Sequence, residues 1–431
     1  MNKRIHIHCL LLILCLGLSY QAGAQFWKKE KKNKKPGSGT HYTPKPKPEA
    51  KKAEKPRRKR ELNYPNSIKR DRYQIDILIP LYLDELVKDN KVTVKGKLPE
   101  KVQGGLNFYE GIKLAVDTLA TMGYKTDIFI HDISSAGSKA EQLIEKDSLK
   151  HTDLIIGFVP AQNVAALAKY AQSKKVNFIS AFSPSDAGIR ENPYFILMNP
   201  TLQNNCEAIV KSVVKKRSRE SILICKKTNS TNDSAAYTYI TDGREIKNLT
   251  EIDCNKLPDS AQLAAALESN TTNIVIVPVL DPVYAEKFVN QLHSWFPEYR
   301  FDIYGMPTWK NLVSNKKMIE WGEHISINIT QPYYFDPTVS SGVAIANKYK
   351  SVFGGKPTEL SYRGFELVYW MTDLLNKYGA IFNEKTNDDG MAIFTKYELK
   401  PRWDNDNNFY YIENKHLYLY HYQAGTVLVE Q

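Results

Sequence analysis

From Tyr73 onward one rhythm recurs: a short β-branched run closed by Pro, Gly or Asp, then a longer stretch whose apolar residues share one helical face. The strand-like runs are 75–79, 127–130, 154–156, 176–179, 222–224, 249–252, 274–277, 301–304 and 325–329. Helical spacing occupies 107–121, 139–149, 163–173, 202–216, 260–268, 282–295, 343–353 and 362–378. Near-continuous apolar strands alternating with helices are what a parallel sheet covered on both faces requires, so the chain reads as an α/β protein.

That many strands would make an unusually wide single sheet, and the length suits two domains. Two crossovers stand out. Asn199-Pro200-Thr201 follows the extended 194–198, and Gln331-Pro332-Tyr333-Tyr334 follows 325–330. They predict one Rossmann-like lobe from 73–198 and 330–385, a second from 199–329, and a C-terminal segment, 386–431, that returns across the hinge.

Composition, 42% hydrophobic and 25% charged, excludes a wholly disordered or fibrous chain. The net charge of +12 suggests nucleic acid until it is divided along the sequence. Residues 25–72 hold 18 Lys or Arg against Glu30, Glu49, Glu54, Glu61 and Asp71, and the 359 residues after them carry 39 basic and 42 acidic side chains. The surplus therefore lies in a tail without fold signals, and nucleic-acid binding is not expected. The tail alternates Lys and Arg with Pro, as in Lys45-Pro46-Lys47-Pro48, and has little to bury; it predicts a disordered linker. It serves either as a solubilising spacer or as a salt-sensitive tether to an anionic envelope surface.

Ahead of the tail, Lys3 and Arg4, the apolar run 10–18 and Ala22-Gly23-Ala24 form a secretory signal peptide, 1–24, too short to span a bilayer. The expected location is the periplasm or cell envelope, soluble or peripheral after cleavage. Cys15 follows Leu12-Ile13-Leu14, where a lipid-attachment site would have a small residue directly before the cysteine. Cys9 and Cys15 leave with the signal peptide, and Cys206, Cys225 and Cys254 remain. Cys225 and Cys254 close two short apolar strands; they pair if those strands are neighbours and are otherwise buried thiols.

Asn107-Phe108-Tyr109-Glu110-Gly111-Ile112-Lys113-Leu114-Ala115 resembles Phe-x-x-Gly-x-x-Leu-Ala, the first-helix motif of the branched-chain amino-acid-binding proteins of ABC transporters. Ile155-Ile156-Gly157 with 158–168, the serine-rich loop after 176–179, and Tyr334-Phe335-Asp336-Pro337 followed by Tyr362-Arg363-Gly364-Phe365-Glu366 are similar to later steps of the same family. The resemblance, from Tyr73 to the C-terminus, implies a type I periplasmic-binding-protein architecture: two hinged lobes holding a small ligand at the carboxyl ends of their strands. It carries candidate contacts to Ala161, Gln162 and Asn163 at a helix N-terminus and to Phe182, Ser183 and Ser185 in the next loop. In the second lobe it carries them to Asp281, Thr308 and Trp309. Ala161 stands where the family has a serine, Phe182 falls near a small residue, and Thr308 or Trp309 falls near an acidic one, so the amino-acid signature is largely absent. Ser183 and Ser185 equally suit a turn beside Pro184. Trp309, and Tyr82 after the first strand, are either walls for a ligand or half-buried lobe-edge residues.

Searching for an enzyme finds no G-x-S-x-G, H-E-x-x-H, Walker A loop or G-x-G-x-x-G. Ser212-Val213-Val214-Lys215 and Ser314-Asn315-Lys316-Lys317 fit S-x-x-K without a K-T-G partner. Asp404-Asn405-Asp406-Asn407-Asn408 begins like a calcium loop, but Phe409 takes the place of its glycine. The histidines lack ligand spacing, so neither metal, cofactor nor catalytic residue is expected. Two functions follow: capture of an amino acid or related molecule for import or sensing, with ABC permease subunits as partners, or a non-enzymatic envelope scaffold similar to outer-membrane activators of penicillin-binding proteins.

Overall fold

A computed structural model describes residues 61–133, 140–217, 220–243, 245–336, 338–388 and 393–430. The signal peptide, most of the basic linker, Cys9 and Cys15 lie outside the described residues. In chain order, β1 (Tyr73–Ile79) leads to α1 (Leu83–Leu86), the ribbon β2 (Val87–Lys88) and β3 (Lys91–Val92), α2 (Glu100–Thr121), β4 (Thr126–Asp132), α3 (Ala140–Glu145), β5 (Leu154–Gly157), α4 (Ala161–Lys174), β6 (Asn177–Ser180) and β7 (Phe195–Leu197). Next come α5 (Leu202–Arg217), β8 (Ile222–Lys226), α6 (Thr231–Thr241), β9 (Leu249–Asp253), α7 (Ser260–Ala266), β10 (Thr272–Ile276), α8 (Pro282–Trp295), β11 (Arg300–Tyr304), α9 (Asn315–Trp321) and β12 (Ile325–Gln331). The chain closes with α10 (Ser340–Phe353), α11 (Glu359–Tyr378), β13 (Leu399–Trp403), β14 (Phe409–Asn414), β15 (Tyr418–Gln423) and β16 (Thr426–Glu430).

Besides the β2–β3 ribbon, the described residues form two seven-stranded sheets, of order β13-β14-β7-β6-β5-β1-β4 and β16-β15-β12-β11-β10-β8-β9. Their centres are parallel, as the apolar strands require: Ile75, Ile77, Leu78 and Ile79 of β1 are fully buried, as is every central residue of β5. The α/β reading with two parallel-dominated sheets is therefore borne out. The C-terminal segment adds what its pattern did not announce: β13 pairs antiparallel with β14 in the first sheet, and β15 and β16 are antiparallel additions to the second. Alternation places Tyr418, Tyr420 and Tyr422 on one face of β15, and the Tyr420 hydroxyl donates to the Tyr333 carbonyl at 2.7 Å. Helix α6 also escapes the periodicity reading, because it buries little beyond Asp233, Ala236 and Ile240; Ser230 caps it by accepting the Asp233 amide.

The chain passes between the sheets three times: after β7, after β12 and between β14 and β15. Buried polar side chains bind these passages together. Glu413 accepts from the Thr201 amide and hydroxyl at 2.9 and 2.8 Å and is paired with Arg402 and Lys415 at 3.1 and 2.7 Å. Asn205 donates to the Thr201 carbonyl and accepts from Thr330, while Asn414 donates to the Met198 carbonyl.

Residues 61–72 were expected to continue the unstructured linker, and here the reading needs correcting. They lack regular secondary structure but are tied to the first sheet's side of the molecule. Tyr64 packs edge-on against Tyr194, the Ser67 hydroxyl oxygen accepts the Ile381 amide at 3.0 Å, and Arg70 pairs with Asp153 at 2.8 Å. Cys225 and Cys254, at the ends of the neighbouring parallel strands β8 and β9, are joined in a disulfide with their Cα atoms 5.5 Å apart, and Cys206 is a buried free thiol. Among the described residues no helix is long and apolar enough to cross a membrane.

Candidate functional site

The carboxyl ends of β1, β4 and β5 surround a cavity of about 530 Å³ lined by Pro80, Tyr82, Ile133, Glu141, Pro160, Gln162 and Asn163. Its wall is held by one carboxylate. Asp132, the last residue of β4, accepts the backbone amides of Leu81, Tyr82 and Leu83 at 2.9, 3.2 and 2.7 Å. This turns the chain sharply after β1 and leaves Tyr82 in a left-handed conformation, φ 55° and ψ 40°. The Lys101 ammonium sits 4.7 Å from the centre of the Tyr82 ring, and its hydrogen bond to Glu85 raises its pKa.

Helix α4 enters from the other flank. Pro160 precedes it in extended conformation and supplies no side-chain cap. The leading amides of a helix have no intrahelical acceptor and carry the positive end of its dipole. Asn163 already donates its amide to the Pro160 carbonyl at 3.0 Å, which leaves those of Ala161 and Gln162 at the mouth. Glu141, from the first turn of α3, adds an exposed carboxylate to the same cavity.

Of the residues singled out by sequence, the structure gathers Tyr82, Gln162 and Asn163 on this cavity, with Ala161 beside them. Phe182 lies beyond the carboxyl end of β6, 41% exposed, with its ring tilted and centred 4.5 Å from that of Phe158, which follows β5. Ser183 and Ser185 spend hydroxyl oxygens on successive turns, accepting the amides of Ser185 and Ala187 at 3.2 and 3.1 Å. At the end of the second sheet, Asp281 caps α8 by accepting the Val283 amide, and Thr308 donates to the Leu280 carbonyl at 2.7 Å. Trp309 requires a correction: it is fully buried, neither wall nor lobe-edge, and its indole N–H is spent on the Val279 carbonyl at 2.8 Å. Packing against Gly305 draws it into the core of the second sheet. Sequence reasoning missed Glu141, because nothing in a short polar helix signals that its first turn faces a cavity. Among the described residues no group of His, Cys, Asp and Glu has metal-site geometry.

A protein-family profile described as periplasmic binding protein matches residues 103–398. No curated protein sequence matches the chain. Among solved structures, the chain is similar to an ABC transporter substrate-binding protein from Desulfitobacterium hafniense in complex with Leu, at 13% identity and a TM-score of 0.54, covering 83% of this chain and 100% of that one. A protein from Rhodospirillum rubrum assigned to branched-chain amino-acid ABC transport aligns at 12% identity and a TM-score of 0.59, over 83% and 99% of the two chains. The C-domain of LpoA from Haemophilus influenzae, a regulator of PBP1A, aligns at 15% identity and a TM-score of 0.53, over 83% and 100%.

Proposed function

The chain belongs to the periplasmic binding protein family, and on that premise we propose that it is an exported solute-binding protein holding a small zwitterionic ligand, an amino acid or close relative, between two lobes. The family is one of binding proteins, and the solved structures it resembles include substrate-binding subunits of ABC transporters. Lobe 1 comprises 73–198 and 330–385, lobe 2 comprises 199–329, and 386–431 returns across the hinge. Residues 1–24 direct export, the basic tail contacts an anionic envelope surface, and closure of the lobes presents the ligand to permease subunits for import or sensing.

One observation carries this reading. The cavity at the ends of β1, β4 and β5 combines the uncapped N-terminus of α4 with the carboxylate of Glu141. The first receives an anion and the second a cation, the two charges of an amino acid. Tyr82, Ala161, Gln162 and Asn163 are the contacts on this side; Phe182 adds an apolar surface.

Thermal unfolding of the full chain against amino acids, short peptides, sugars and cell-wall fragments tests the proposal. A ligand at 100 times its Kd adds about 2.7 kcal/mol and moves the midpoint by several degrees. Zwitterionic amino acids should produce that shift and Glu141→Gln should reduce it; a flat response across the panel sinks the reading. A second reading, an envelope regulator without a small ligand, is favoured by Ala161 and the buried Trp309 at positions where the family resemblance implies ligand contacts. The likeness to the LpoA C-domain adds support. Crosslinking in the native envelope that recovers a protein partner, with a flat ligand panel, would select it.

A further inference from the structure

Arg363, in the second turn of α11, is charged, nine-tenths buried and short of acceptors. Its side chain is 9% exposed, and its guanidinium carbon lies 3.7 Å from the centre of the Tyr333 ring and 5.6 Å from that of Phe182. A guanidinium offers five N–H donors in one plane. Among the described residues its hydrogen bond is a long one, to the Ala181 carbonyl at 3.4 Å, and its ion-pair partner Glu359 stands 3.8 Å away. Burying a cation is costly unless it is paired and hydrogen-bonded. The two ring faces offset part of that cost through cation–π attraction, but they leave largely unspent the N–H edge that recognises carboxylates in bidentate fashion.

Glu359 is itself shared, because its other carboxylate oxygen is bonded by Lys310, from the turn after β11. One exposed carboxylate thus bridges a cation beside the end of the first sheet and a cation beside the end of the second. Beside Arg363, Phe182 presents an exposed ring whose centre lies 4.5 Å from that of Phe158.

We infer that Arg363 and Lys310 form a carboxylate-binding subsite between the two sheet ends, held in this structure by Glu359 where an acidic ligand's carboxylate would sit. The inference rests on the solute-binding reading and revises its anion site: the ligand is an organic acid whose carboxylate is held by Arg363 and Lys310 rather than by the α4 N-terminus, and whose apolar or aromatic body lies along Phe182 and Phe158. The competing carboxylate belongs to the protein, so binding exchanges one ion pair for another and opens the Lys310–Glu359 contact.

Titration calorimetry of the full chain with 3-phenylpropionate, its neutral isostere 3-phenylpropionamide and L-leucine tests this. The acid should bind at least tenfold more tightly than the amide, and Arg363→Gln should erase that difference. Glu359→Gln, which removes the internal competitor and leaves the buried cation in place, should tighten the acid at least threefold; it keeps the test decisive if the arginine variant fails to fold. Equal affinity for acid and amide, or weaker acid binding in Glu359→Gln, overturns the subsite. Should L-leucine bind equally well to wild type and Arg363→Gln while acid and amide remain equal, the subsite falls and the solute-binding reading survives. No heat from any of the three probes with wild type or Glu359→Gln also overturns the subsite, and the wider ligand panel then decides the parent reading separately.

Discussion

Gly111 has no room for a β-carbon, because one built there would stand 1.9 Å from the Ser361 carbonyl oxygen. Gly364 makes the reciprocal approach, its absent β-carbon falling 2.2 Å from the Phe108 carbonyl oxygen. Helices α2 and α11 therefore cross at backbone distance, which brings the first turns of α11, and Arg363 with them, to the end of β6. Gly111→Ala should lower stability by about 1–3 kcal/mol, the usual cost of overpacking, or prevent folding; an unchanged urea midpoint would contradict the close crossing. Glu413 makes a second residue-level prediction. Burial alone would push its carboxyl up, but Lys415, the Thr201 amide and Arg402 outweigh burial and hold its pKa below the ordinary glutamate value. A folded pKa below the unfolded one contributes stability that is present above about pH 4.3 and lost as the pH falls through the folded value. Glu413→Gln should cost about 3–5 kcal/mol at neutral pH and flatten the acid limb of urea unfolding measured from pH 7 to 3. Equal acid slopes in the two proteins would refute it.

At the scale of elements, the edge of the second sheet depends on a covalent clasp. Strand β9 buries one side chain, Ile252, and is paired on one side alone, with β8, so packing contributes little to holding it. The Cys225–Cys254 disulfide spans a separation of 29 residues, for which loop entropy gives about 3–4 kcal/mol. Reduction should lower the unfolding midpoint and release β9 first, seen as faster amide exchange over Leu249–Asp253. Alkylation is the independent check on residues 61–431. Burial pushes the Cys206 thiol up to about 12, so the native protein should take up no label. Unfolding without reductant should expose one thiol and unfolding with reductant three; three without reductant would rule the disulfide out. The neighbouring elements show how periodicity fails. Helix α6 is set by a serine cap rather than an apolar stripe, and in β15 the hydroxyls of Tyr418 and Tyr420 find partners outside the sheet.

Over the whole molecule, charge is segregated along the sequence, with the basic excess before residue 73 and a slightly acidic body after it. Deleting residues 25–60 should therefore abolish binding to phosphatidylglycerol vesicles at low salt and leave the unfolding free energy within about 0.5 kcal/mol of wild type, whereas retained vesicle binding would remove the tether from the proposal. The twelve residues after position 60 belong with the body although their composition continues the tail: Ser67 and Arg70 bond to Ile381 and Asp153. The two parallel-centred sheets were legible because the 3.6- and 2-residue periods and the β-branched runs are local properties of the chain, set by which faces must be buried, and the family resemblance was legible because its motifs, such as Phe108-Tyr109-Glu110-Gly111, are contiguous in sequence. The cavity's Glu141, the burial of Trp309, the pairing of the C-terminal strands and the bridge from Arg363 through Glu359 to Lys310 were not legible. Each joins segments distant in sequence, and their distances and desolvation exist only once the chain has crossed between its sheets.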